Sequence, residues 1–213
     1  MSEQEPTPQY VHAVIPLAIL EAMQLLDSPA NDNPAEFMGE LASRKLGTNA
    51  TIANQIDRYR KLMEQGSRVS AEEALGLMRL CARRPDAGLV FTSAGRRAAK
   101  HAVGHVGAGS RMLQRVLSGT LRERHGQGVA SRLASLIFDL RMRREGGRIV
   151  ASARFARANS VPQVPLCAFY GSAVAELLRT LTRFDGAMMH TSCVASGSRE
   201  CNWQTSPIPG NET

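Results

Sequence analysis

Cys167, Cys193 and Cys201 are three of the chain's four cysteines, and His190 stands three residues before the second. Three thiolates and one imidazole make a complete set for a tetrahedral zinc site. Ser196-Gly197-Ser198 between the last two cysteines supplies a turn that can fold them onto one point. The spacing is looser than a CxxC pair, so the plainer alternative stays open: three small buried thiols beside a surface histidine. Geometry adds a condition. Along a strand, His190 and Cys193 have opposite parity and face opposite sides, so both reach one ion only across a bulge or a strand end.

A second set of residues lies earlier. His101 and His105 are four apart on an expected helix from Ala94 to His105, a spacing that places two imidazoles on one face. They are candidates for a metal or for the magnesium of a tetrapyrrole; an exposed pair on a basic helix is the plainer reading. Gly104-His105-Val106-Gly107-Ala108-Gly109 runs G-x-x-G-x-G. It lacks the order, the flanking strand and the following acidic residue of a dinucleotide loop, and reads as an interhelical connection.

The elements that must hold these residues follow from composition and periodicity. The chain has 213 residues, is 43% apolar and carries a formal charge of +7, which suits one core with an added helical part. Residues 81–150 hold fourteen basic side chains, thirteen of them Arg, against four acidic ones. That segment suits an anionic small molecule, a lipid surface or nucleic acid, or else a solvated basic face. Its only aromatics are Phe91 and Phe138, which argues against base stacking and so against nucleic acid. The longest apolar run, Val11 to Leu20, is broken by His12 and Pro16, so no membrane span is expected. The start Ser2-Glu3-Gln4-Glu5-Pro6 is acidic, and with unevenly spaced cysteines it points to the reducing cytoplasm.

Helices are expected over Val11–Leu26, Ala35–Leu46 and the Ile52, Ile56, Tyr59, Met63 stripe, with Gly47 separating the last two. Ser70 caps a further helix, and Cys81 at its end reads as core. Leu89–Thr92 is a strand or the start of the helix capped by Ser93. Met112–Leu121 and Val129–Leu140 read as two helices broken near Gly126 and Gly128, with Arg141–Arg144 at a helix C-terminus. Arg148–Phe155 is a strand, Leu166–Leu181 a helix with Cys167 in its first turn, and Gly186–Ala195 with Cys201–Thr205 a hairpin.

Strand, helix opening on Cys167, strand ending in Cys193, Gly197 turn and Glu200-Cys201-x-Trp203 together resemble the 4-vinyl-reductase domain. That family takes in vesicle-tethering TRAPP subunits and the sensor domains of phenol-responsive regulators. The resemblance covers residues 89–205, leaving 1–88 as a helical N-terminal region with a flexible tail and 206–213 as a C-terminal tail. It implies an α+β fold, helices packed on a small antiparallel sheet, often dimeric, with an apolar pocket between them. The sensor members hold zinc on three Cys and an acidic residue; the matching positions here are Cys167, Cys193 and Cys201, with His190 in the acidic place.

Other members serve bacteriochlorophyll biosynthesis in photosynthesis, in reduction of the vinyl group of divinyl protochlorophyllide. That implies a magnesium–tetrapyrrole ligand and other enzymes of that synthesis as partners. Arg96, Arg97 or Arg111 would then pair with the pigment's propionate, and His101 or His105 would be an axial ligand. Vinyl reduction needs nicotinamide, flavin or an iron–sulfur centre. The sequence shows no nucleotide fingerprint, so a pigment binder or carrier is expected more than a self-sufficient reductase. The alternative is a zinc-stabilised ligand-sensing or protein-interaction module of the same fold.

Overall fold

The computed structural model describes residues 10–27, 38–104, 118–153 and 163–206. The expected tail 1–9, all of the expected tail 206–213 except Ser206, the 105–109 connection and residues 112–117 of an expected helix lie outside them. The described chain runs β1 (Tyr10–His12), α1 (Val14–Asp27), α2 (Met38–Glu64), β2 (Arg68–Ser70), α3 (Ala71–Ala82) and α4 (Ala87–Gly104). It continues with α5 (Gly119–Phe138), β3 (Leu140–Glu145), β4 (Arg148–Ala153), α6 (Gln163–Leu181), β5 (Met188–Ser192) and β6 (Cys201–Thr205). The mixture of helices and small antiparallel sheets is the expected α+β class. No helix among the described residues is long and apolar enough to cross a membrane.

β1 pairs with β2, and β3-β4-β6-β5 form a four-stranded antiparallel sheet. α4 packs on α1 and on α6, and α6 in turn meets α5 and β5. The α4–α6 approach is close because Gly95 leaves room for it: a Cβ there would fall on Ser172 Oγ and the Phe169 carbonyl. One continuous core runs from Val11 to Trp203. Through it passes a chain of rings, Phe138–Phe169 at 6.1 Å, Phe169–Tyr170 at 5.4 Å and Tyr170–Trp203 at 6.0 Å. All four are fully buried, each worth about 1.5–3 kcal/mol of apolar transfer.

Several expected boundaries are corrected. α2 continues through Gly47, because one interior glycine costs a helix only about 1 kcal/mol against alanine. α4 starts at Ala87, with Leu89 and Val90 N–H donating to the Asp86 carbonyl, so Leu89–Thr92 is helical and Ser93 is interior. α5 passes through Gly126 and Gly128. Gly126 marks a contact rather than a break, since a Cβ there would strike the Leu181 carbonyl. That helix stops at Phe138, where Asp139 takes a left-handed φ of 52°. Arg141, Arg143 and Arg144 therefore belong to strand β3, not to a helix end. Val11 and His12, expected to open the first helix, instead lie in β1, and α1 begins at Val14 close to Pro16; the pairing of β1 with β2 was not expected. Ser70 does cap α3, its hydroxyl accepting from Glu72 N–H at 3.2 Å, and Pro16 sits in the first turn of α1.

Candidate metal centre

Three elements bring the cysteines together. Cys167 lies in the second turn of α6, Cys201 opens β6, and Cys193 follows the last residue of β5. The pairing of β5 with β6 decides where His190 points. His190 is opposite Trp203, Ser192 is opposite Asn202, and the register shifts between them. Thr191 is thus a bulge that removes the parity conflict. With one residue unpaired, His190 and Cys193 share a face with Trp203 and Cys201, the face turned to α6.

The three sulfurs form a triangle: Cys167–Cys201 3.6 Å, Cys167–Cys193 3.8 Å and Cys193–Cys201 3.8 Å. All four ligand atoms, including the His190 nitrogen, lie within 4.8 Å of one another. A tetrahedral zinc with Zn–S of about 2.3 Å separates its sulfurs by about 3.8 Å. The donor set and its spacing therefore fit a single zinc ion. Four protein ligands close such a site, so zinc there would join α6 to the β5–β6 hairpin and carry no substrate.

The groups around Cys201 favour thiolate. The Cys167 thiol donates to Cys201 Sγ and holds Cys201 well below the usual thiol range against the opposing effect of burial. The Val194 N–H at 3.4 Å, His190 and Cys193 add to that effect. The same Cys201 contact, with burial second, pushes Cys167 far up. Around Cys193 the chain turns tightly. Ser196 N–H, Ser198 N–H and Ser196 Oγ all donate to its carbonyl, at 3.1, 3.1 and 2.9 Å, and Gly197 takes a φ of 88°. Thr191 Oγ1 donates to the Asn202 carbonyl at 3.2 Å and Asn202 Nδ2 to Ser192 Oγ at 2.8 Å, which fixes the bulge.

No protein-family model, curated protein or solved structure matches this chain. The centre is therefore read from its own geometry. Its exposed edge is His190, whose ring stacks on Trp203 with centroids 5.2 Å apart and planes 21° from parallel.

Beside that edge lies a cleft of about 340 Å³ between α4, α6 and the β5–β6 hairpin, with Cys167, His190 and Trp203 in its wall. Of the residues expected to bind a ligand, Arg96 lines this cleft. Arg97 and His101 do not; they turn to α1, where Glu21 sits 4.0 Å from Arg97 and 2.7 Å from His101. His105 and Arg111 lie outside the described residues.

Arg179, at the far end of the same cleft, is a residue that sequence reasoning missed. Its signal was the small-residue stripe Ala168, Gly171, Ser172, Ala175 along one face of α6, which leads to it.

Proposed function

We propose that this chain is a zinc-stapled small-molecule-binding domain of the 4-vinyl-reductase type. Its cleft receives a magnesium–tetrapyrrole intermediate of bacteriochlorophyll synthesis and presents the pigment for reduction of its vinyl group. The carrying observation is the convergence of Cys167, Cys193, Cys201 and His190 through the Thr191 bulge, with a ligand-sized cleft along the same edge. The cleft volume is near the lower end of the roughly 300–1,000 Å³ of small-molecule sites, which suits holding a macrocycle by one edge. Arg96 is the cation in that wall from the expected propionate partners. Zinc would fix the hairpin that carries His190 and Trp203, and so the shape of the wall. The two electrons of vinyl reduction come from nicotinamide, flavin or an iron–sulfur centre when one is bound. Presentation asks of this chain only that it bind and orient the pigment.

Protein purified anaerobically is expected to contain one zinc per chain, lost in Cys193→Ser; equal zinc in both would remove the staple. Mixed with divinyl protochlorophyllide, it is expected to shift the pigment's absorption without turnover, with or without NADPH. A monovinyl product from the isolated protein would make it the reductase itself. An unchanged spectrum would favour the sensing or interaction module.

A further inference from the structure

The cleft beside the metal centre has two chemically different parts. Its floor is a strip of α6 made of small residues, Ala168, Gly171 and Ala175, closed on one side by Trp203. Arg96 from α4 and Arg179 from the last turn of α6 also line it.

Their charges are unequally engaged. Arg179 donates to the Gly186 carbonyl at 3.0 Å and stands 3.7 Å from Glu176, a carboxylate that Lys100 also approaches at 3.8 Å. Glu176 is thus met by two cations. Among the described residues Arg96 has no carboxylate partner, although it is exposed at the rim. A cleft with an apolar floor and a surplus guanidinium favours an anion attached to an apolar body. The Arg fork matches a carboxylate, and low-dielectric walls strengthen the attraction.

We infer that the cleft is selective for apolar organic anions, holding a carboxylate or sulfonate at Arg96 and Arg179 while the apolar part lies over the α6 strip against Trp203. The inference rests on reading this cleft as a ligand site and does not depend on the ligand being a pigment. It places charge selection in two residues from different helices, 83 positions apart in the chain.

Trp203 is the chain's only tryptophan, so energy transfer from it reports what occupies the cleft. The probes are 1-anilinonaphthalene-8-sulfonate and the uncharged N-phenyl-1-naphthylamine, which share an aromatic frame and differ in charge. The sulfonate is expected to bind the native protein more tightly, with transfer from Trp203. Arg96→Ala, at an exposed position, is expected to weaken the sulfonate about tenfold and to leave the uncharged probe within about twofold. Arg179→Lys keeps the cation but loses the fork, and is expected to weaken the sulfonate by a smaller factor. Ala168→Phe fills the floor and is expected to abolish both, with the thermal midpoint of each variant checked against the native protein. Equal affinity for the two probes, losses that ignore charge, absence of binding, or transfer that survives Ala168→Phe would each overturn the inference. A pigment that fails to bind while the sulfonate keeps its dependence on Arg96 removes the pigment reading alone. A pigment carboxylate that binds equally well to native protein and Arg96→Ala removes this inference alone.

Discussion

Cys81 and Cys201 are both fully buried thiols, and their surroundings give them opposite roles. Cys81 sits in α3, where burial pushes its thiol up to about 11 and keeps it a small apolar side chain. Cys201 is within 3.8 Å of two other sulfurs and accepts a backbone N–H, an environment that favours thiolate. Cys81→Ala is therefore expected to cost about 1 kcal/mol in a urea melt while the zinc content stays at one per chain. Cys201→Ala is expected to lose the metal and with it the hairpin's attachment to α6; retained zinc would mean that the sulfur triangle is only packing. The four candidate ligands were legible in the sequence as a group, because soft donors are rare and these gather in one stretch. Their joint geometry was not. Parity set His190 against Cys193, and only the pairing of β5 with β6 shows that Thr191 is skipped; a threonine there carries no mark of a bulge. That Arg97 and His101 face Glu21 was hidden for the opposite reason. Helical spacing tells which residues share a face, but not which neighbour that face meets.

At the scale of elements, α4 and α6 form the wall that the cleft opens on, and glycine sets their distance. A side chain at Gly95 would collide with the backbone of α6 at Phe169, and backbone does not give way as a flexible side chain does. Gly95→Val is expected to cost about 3 kcal/mol or more, or to prevent folding, and to widen the cleft beside Cys167. Gly76, inside α3 with open space where its Cβ would be, makes the contrast. Gly76→Ala is expected to stabilise by about 0.5–1 kcal/mol through helix propensity. Denaturant midpoints for the pair separate close packing from propensity, and similar small effects at both positions would refute the packing argument. The same ambiguity limited the sequence reading of these helices. A glycine that permits contact, as at Gly126, looks like a glycine that ends a helix, and the short apolar run Leu89–Thr92 fits either period. Helix α3 was legible because its apolar stripe agrees with its Ser70 cap, and α1 and the core of α6 because their apolar stripes keep helical spacing over several turns.

For the molecule as a whole, the decisive group is Glu21 of α1, which joins the helices before residue 88 to the part that carries the cleft. Its side chain is 12% exposed, and its carboxylate meets His101 of α4 at 2.7 Å and Arg60 of α2 at 3.3 Å, with Arg97 at 4.0 Å. Burial alone would raise its pKa, but the hydrogen bonds and charges of His101 and Arg60 together outweigh burial and hold it below the usual glutamate range. A carboxyl depressed in the folded state stabilises above its unfolded pKa, and that stability is lost as pH falls through the folded value. Glu21→Gln keeps the shape and removes the charge. It is expected to be about 1–2 kcal/mol less stable than the native protein at pH 7, the gap closing as pH falls through the lowered folded-state value of the carboxyl. Because the core is continuous from Val11 to Trp203, that loss is expected in one cooperative transition, followed together by Trp203 fluorescence and helical circular dichroism. A gap that stays constant down to pH 3 would show that the glutamate acts by packing. If the helical signal fell before the Trp203 signal, the cluster would hold α1 without coupling it to the sheet.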